Sequence, residues 1–158
     1  MGTPGGGYAL RGVDEGVADQ SDRDVPDVAG GGPVHDAKRR GKIINIASVA
    51  GLRGSDERVL DAVGYSASKG GVISLTRDLA IKWAKHNIYV NAIAPGFFPT
   101  KMTKGVLEHA EREIVNNTPL RRIGGERDLQ GAALYFASAA SDYTTGQVLA
   151  VDGGTTAR

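Results

Sequence analysis

Apolar positions follow two rhythms along this chain, and neither occurs in its first 36 residues. The run KIINIAS, Lys42 to Ser48, is short and rich in β-branched side chains, which predicts a buried strand. A polar loop follows, with Gly51, Gly54, Asp56, Glu57 and Arg58. From Tyr65 to about His86 the pattern predicts a helix, with Val72, Leu75, Leu79 and Trp83 at helical spacing as its core face. Ile88 to Ala94 reads as a second strand, stopped by Pro95-Gly96. Thr103 to Asn116 is a second predicted helix, broken by Pro119. A third is predicted from Glu126 to Ser138, with Leu129, Ala133, Leu134 and Phe136 on its apolar side. Gln147 to Val151 is a last strand, closed by Asp152-Gly153-Gly154. Strands alternating with helices predict an α/β fold with a parallel sheet. Three strands are fewer than a complete doubly wound sheet requires, and both faces of a parallel sheet need cover.

Composition sharpens the contrast between the segments. The chain has 158 residues, 41% hydrophobic and 23% charged, with a net charge of +1. That balance gives no strong attraction to nucleic acid or to a membrane surface. There is no cysteine, which excludes disulfides, thiolate metal sites and thiol nucleophiles. No apolar run approaches the ~18 residues of a membrane span, and MGTPGGGYAL lacks the features of a secretory signal. The expectation is a cytoplasmic protein. Residues 1–36 hold nine of the 23 glycines, six aspartates and a single aromatic, Tyr8. Such a segment has too little apolar surface to offset its ordering entropy, so an irregular tail is expected there.

The chemistry begins at Tyr65-Ser66-Ala67-Ser68-Lys69, which puts a phenol and an ammonium at i and i+4 on one helix face. A nearby cation stabilises phenolate, and a phenol so assisted can exchange a proton with an alcohol or a carbonyl. An isolated pair of this kind is ordinarily a solvated helix face. Here Ser48 follows a predicted buried strand, where open parallel sheets place ligands, and its hydroxyl can hold a substrate oxygen beside the phenol. Pro95-Gly96 ends the next strand and offers backbone to border a flat cofactor ring; its plain alternative is turn punctuation.

INIASVAG, YSASK, VNAIAPGFFPTKMT and TGQVLAVDGG, taken together, closely resemble the second half of a short-chain dehydrogenase/reductase, from about Lys38 to Gly154. Within that family the text looks most like the gluconate 5-dehydrogenase and 3-oxoacyl-carrier-protein reductase branches. The resemblance implies an incomplete Rossmann-type doubly wound parallel sheet. It also implies hydride transfer with NAD or NADP on a small alcohol or ketone, and usually a homotetramer. By the same resemblance Ser48 orients the substrate oxygen, Tyr65 is the acid/base, and Lys69 assists the tyrosine and binds the nicotinamide ribose. Pro95, Gly96, Phe98 and Thr100 fall at the nicotinamide-side loop, and the segment after Met102 matches a mobile substrate lid. The interval from Ser48 to Tyr65 is a few residues longer than usual, which implies a larger loop near the substrate mouth.

The Gly-rich turn that would hold a pyrophosphate on a helix N-terminus has no counterpart in this text. Gly5-Gly6-Gly7 follows no apolar strand, and Gly30-Gly31-Gly32 runs into Pro33, which lacks an amide donor. The family's Asn-Asn-Ala-Gly strand end and the upstream catalytic asparagine are likewise missing. Back-translation suggests a reason. Read one base later, with wobble bases chosen freely, Asp19 to His35 permits TNLTGTFLMSQAVGRSM, and Gly5 to Ala18 permits AEDMPFEEWTKVLQ. Joined, these form family-like text leading into Ala37-Lys38-Arg39-Arg40. Residues 1–36 are therefore expected to be an out-of-frame translation, and residues 37–158 the catalytic half of the domain. Two functional expectations follow: an NAD(P)-dependent oxidoreductase known through its catalytic half, or a fragment without a cofactor-binding half that associates at most with intact homologues.

Overall fold

The computed structural model describes residues 41–57 and 59–157; the expectations for residues 1–36 lie outside the described residues. Strand β1 (Gly41–Ile46) leads through a 3-10 turn (Val49–Gly51) and a polar loop to helix α1 (Val63–Trp83). Strand β2 (Ile88–Pro95) follows, then α2 (Lys104–Asn117), α3 (Glu126–Ala137) and β3 (Val148–Val151). The three strands form one parallel sheet in the order β1-β2-β3. This is the α/β architecture expected from the sequence, with Gly41 opposite Ile88 and Ala92 opposite Val148 setting the register.

The core is built on β2. Val90, Asn91, Ala92, Ile93 and Ala94 are all buried. Successive strand residues point to opposite faces, so five buried in a row require cover on both. On one face Ala47, Ala92 and Ala94 pack with Ile73 and Val72 of α1. Small side chains in the sheet let the helix approach closely. The same interface carries a polar tie: Asn45 Nδ2 donates to Thr76 Oγ1 (2.9 Å), and Thr76 Oγ1 donates to the Val72 carbonyl. On β2 the Asn91 amide holds the start of β3, donating to the Thr144 carbonyl and accepting from the Gln147 amide.

Several expectations are corrected here. The residues of α1 that are buried are Ser68, Lys69, Ile73, Thr76 and Ala80. Val72 packs against the core, but Leu75, Leu79 and Trp83 are only half-buried. Apolar residues lie on several sides of this helix, with Val63 and Ile81 exposed, so spacing alone did not single out the face that meets the sheet. In α3, Phe136 is buried as expected, whereas Leu134 is 68% exposed. Leu134 and Phe136 are two residues apart, about 200° around a helix, and cannot share a face. No helix among the described residues is long and apolar enough to cross a membrane.

The start of α3 is fixed electrostatically. Asp128 accepts from the Gly125 amide at the helix N-cap (2.7 Å) and takes both Arg122 guanidinium nitrogens, at 2.7 and 2.9 Å. The Arg122 hydrogen bond, with the Gly125 amide second, lowers the Asp128 carboxyl to about 2. A carboxylate depressed in the folded state contributes stability above its unfolded pKa and loses it as pH falls through the folded value. The stability difference between wild type and Asp128→Asn is thus expected to shrink as pH falls from about 5 to about 2. Urea unfolding across that range checks it; a difference that stays constant with pH would contradict the assignment.

Candidate active site

Ser48 lies two residues beyond β1. Its backbone is extended (φ −163°, ψ 155°), and its Oγ accepts the Ala50 amide at 3.2 Å, capping the 3-10 turn. The turn is pressed onto α1 at a position that excludes a side chain. A Cβ on Gly51 would stand 2.6 Å from the Lys69 carbonyl carbon and 2.7 Å from the Gly70 nitrogen. Because Gly51 has none, backbone meets backbone, and the Ser48 turn is held against the helix turn that carries Lys69.

On α1 the phenol and the ammonium share a face, as their spacing predicts. Lys69 Nζ lies 5.7 Å from the Tyr65 ring centroid. Tyr65 is half-buried, and Ser68 Oγ donates to its carbonyl. Lys69 is buried, and its ammonium donates to the Ile46 carbonyl at the end of β1 (2.8 Å). Burying an ammonium is costly unless it is partnered, and the strand end supplies a partner. Ser48, Tyr65 and Lys69 are therefore brought to one region by β1, the turn and α1.

The loop after β2 divides into distinct roles. Pro95 ends β2 opposite Val151. The Gly96 amide is spent on the Val151 carbonyl (3.0 Å), and a Cβ on Gly96 would meet Asp152 Cα at 2.9 Å. β3 thus takes the Gly96 amide, while Pro95 and Gly96 themselves are half-buried. Phe98 is buried, its ring against Gly124, where a Cβ would fall 2.3 Å from Phe98 Cε1. Thr100 is exposed and exchanges hydrogen bonds with Thr103, forming the turn that opens α2. Beside this loop lies a cleft of about 120 Å³, lined by Phe97, Phe98, Leu120, Ile123 and Gly153 among others. Neither Tyr65 nor Lys69 lines it. At its border Asp152 sits in a tight turn: burial raises its carboxyl, but donations from Thr156 and from the Gly154 and Thr155 amides outweigh this and hold it below its ordinary value.

Sequence reasoning missed Gly51 and the Ile46 carbonyl as parts of this site. Gly51 had a visible signal in the SVAG text; the carbonyl had none, because every residue has one.

A nicotinamide cofactor fits the residues present in one respect. A buried, held ammonium, a phenol and a strand-end hydroxyl gather beside the C-terminal end of β1, where open α/β sheets receive ligands. A pyrophosphate cradle is not found among the described residues.

A partial Rossmann-type sheet with a tyrosine–lysine helix beside a strand-end serine defines an α/β oxidoreductase class, and comparison with known proteins makes it specific. The profile of the family described as Enoyl-(Acyl carrier protein) reductase matches residues 33–156. The chain belongs to the short-chain dehydrogenase/reductase family. It is 48% identical over 120 residues to 2-dehydro-3-deoxy-D-gluconate 5-dehydrogenase of Dickeya dadantii, covering 75% of this chain and 46% of that protein. It is 45% identical over 116 residues to 3-oxoacyl-(acyl-carrier-protein) reductase FabG of Chlamydia muridarum, covering 73% and 45%. Among solved structures it resembles a gluconate 5-dehydrogenase from Burkholderia cenocepacia in complex with NADP and tartrate, with TM-score 0.72 and 39% identity, covering 77% of this chain and 47% of that one. A short-chain dehydrogenase from Leptospira borgpetersenii with bound NAD+ matches with TM-score 0.66 and 32% identity, covering 78% and 48%. The chain spans about half the length of the curated relatives it matches.

Gly51→Ala is expected to destabilise the fold by ~1–3 kcal/mol, the range for overpacking a close contact, and to move the Ser48 turn away from Lys69. Denaturant unfolding and the Ser48 and Lys69 backbone chemical shifts are the measurements. An alanine variant as stable as wild type, with unmoved shifts, would disprove the close approach.

Proposed function

We propose that this chain carries the proton-exchange half of an NAD(P)-dependent oxidoreductase that interconverts a secondary alcohol and a ketone. The observation that carries this reading is the Tyr65–Lys69 pair, with Nζ 5.7 Å from the phenol ring, beside the turn that begins at Ser48. The Ser48 hydroxyl hydrogen-bonds the substrate oxygen. In the oxidising direction the substrate hydroxyl proton passes to Tyr65 Oη; in the reducing direction Tyr65 donates it to the nascent alkoxide. Lys69 stabilises the phenolate by its charge and reaches the nicotinamide ribose. Pro95, Gly96, Phe98 and Thr100 shape the nicotinamide side, Phe98 as buried support. A bound NAD or NADP supplies the hydride acceptor or donor. The substrate is a small sugar acid such as gluconate or a 3-oxoacyl compound, in line with relatives named 5-keto-D-gluconate 5-reductase and 3-oxoacyl-(acyl-carrier-protein) reductase. For the whole protein, the homotetramer of the family belongs to the same proposal.

A second reading concerns the 158-residue polypeptide alone: a non-catalytic fragment that holds no cofactor. It is favoured by a match to 46% of the length of its Dickeya relative. One set of experiments addresses both. A chimera joining the first half of the Burkholderia gluconate 5-dehydrogenase to Gly41–Arg158 is expected to reduce 5-ketogluconate or a 3-oxoacyl thioester. Tyr65→Phe in that chimera should lower kcat by ~10²–10⁴-fold. A folded chimera inactive on both substrate classes would sink the first reading, and saturable NADPH or NADH binding by the 158-residue chain would sink the second.

We also propose that residues 1–36 are an out-of-frame translation of the same coding sequence. Genomic DNA across codons 1–40 is expected to spell family-like text one base out of register. A base sequence that forbids TNLTGTFLMSQAVGRSM in the shifted frame ends the idea.

A further inference from the structure

The cleft beside the loop after β2 lies at the foot of a closed excursion of the chain. The chain leaves the sheet at Phe97 and Phe98, runs through α2, and returns between Thr118 and Gly124. Two backbone hydrogen bonds close the base: the Gly124 amide donates to the Phe97 carbonyl (2.8 Å) and the Leu120 amide to the Gly153 carbonyl (3.1 Å). The cleft of about 120 Å³ sits between these two feet and the end of β3. Its apolar lining is Phe97, Phe98, Leu120, Ile123 and Val151. Its polar side chains are already engaged. Thr118 Oγ1 donates to the Ile114 carbonyl, Arg122 and Asp128 hold each other, and Asp152 accepts from the Gly154 amide and from Thr156. Leu120 nevertheless stands 63% exposed at the wall.

These features fix the chemistry of an occupant. A cavity of about 150 Å³ lined by leucine, isoleucine and phenylalanine takes up benzene, so this smaller volume admits a chain of about four or five carbons. A polar occupant gains little, because each polar side chain of the lining already has a partner and its own groups would be desolvated without compensation. Charge decides the rest. Arg122 and Asp128 cancel, and Asp152 leaves a net negative charge at the border, which disfavours a carboxylate. We propose that this cleft binds the unbranched alkyl end of a small uncharged molecule, about four or five carbons long, seated between the two feet of the α2 excursion. The bound chain touches residues of both feet, so binding holds them together and suppresses opening of the excursion at its base. The proposal does not rest on the hydride-transfer reading, since neither Tyr65 nor Lys69 lines the cleft, and its readouts contain no turnover.

The test titrates the full 158-residue chain with straight-chain primary amides from acetamide to heptanamide, followed by NMR. Pentanamide is expected to bind saturably, with nuclear Overhauser effects from its chain to the methyl groups of Leu120, Ile123 and Val151. Affinity should rise about fourfold per added methylene up to pentanamide, and by less than about twofold in all beyond it, where the chain leaves the cleft. Pentanoate at neutral pH should bind at least about threefold more weakly than pentanamide. With pentanamide at about ten times its Kd, exchange of the Leu120 and Gly124 amides should slow about tenfold. Leu120→Asp puts a charge on an exposed position of the wall and should weaken binding at least about tenfold. Leu134→Asp, likewise exposed but on α3 outside the cleft, should leave binding unchanged. Retained β2–β3 amide protection marks an intact sheet in both variants; where Leu120→Asp loses it, the methylene series on the wild-type chain decides. No saturable shift change up to the solubility of pentanamide overturns the proposal. So does equal binding of acetamide and pentanamide, equal binding of pentanoate, or chain contacts at Leu134 or Tyr143 in place of the cleft methyl groups. A folded Leu120→Asp that binds pentanamide like the wild type overturns it as well.

Discussion

The site depends on one close approach, where the 3-10 turn after β1 lies backbone to backbone on α1 at Gly51 and Lys69. Interiors are packed densely enough that a single methyl group matters, and here there is no room for one. With the Asn45–Thr76 and Lys69–Ile46 hydrogen bonds, the approach fixes the distance between the strand end and the helix. Ser48 caps the turn on one side of the contact, and Lys69 and Tyr65 follow from the other. A loosely packed turn would leave the hydroxyl, the phenol and the ammonium in the same neighbourhood without a defined geometry, and proton exchange requires reach within hydrogen-bond distance.

The side of α1 that meets the sheet is unusually polar for a core. Ser68, Lys69 and Thr76 are buried on it, and Asn45 reaches it from β1. Each polar group is answered locally: Ser68 by the Tyr65 carbonyl, Thr76 by Asn45 and the Val72 carbonyl, Lys69 by the Ile46 carbonyl. A buried donor without a partner costs on the order of 1–3 kcal/mol, and more when charged. The two ties that cross to β1, Asn45–Thr76 and Lys69–Ile46, therefore specify the seating of the helix, since sliding it by one turn would break both. The seating that buries Lys69 also aims it at a strand end, which joins stability and chemistry in one side chain.

Beyond that fixed centre, the segments after β2 are organised by glycine and threonine. Gly124 yields its side-chain volume to Phe98, Gly96 to Asp152, and Gly153, at positive φ, to Thr118. The Thr100–Thr103 turn then launches α2 outward. The groups proposed for proton exchange thus come from a strand end and a packed helix, whereas the walls of the neighbouring cleft come largely from loops. Loops vary at lower cost than packed elements.

All three strands, their parallel order of secondary elements and the three helices were legible from periodicity and from the punctuation at Pro95-Gly96 and Asp152-Gly153-Gly154, to within two or three residues at each end. The Tyr65–Lys69 pair was legible because helical geometry alone puts positions i and i+4 together. The face of α1 that enters the core was not legible. Leu75, Leu79 and Trp83 satisfy a helical stripe as well as Ile73 and Ala80 do, and only Ala47 just after β1 and the alanines of β2 across the interface chose between them. Nor was the placement of Leu134 outside, the closure of the Gly96 amide by Val151, or the capture of Lys69 by the Ile46 carbonyl. The sequence by itself determined which residues are neighbours along an element, because that follows from fixed rise and rotation per residue. Only the tertiary structure decided which backbone atoms meet across elements, because a carbonyl or an amide has the same letter-independent chemistry everywhere and gains its role from the fold around it.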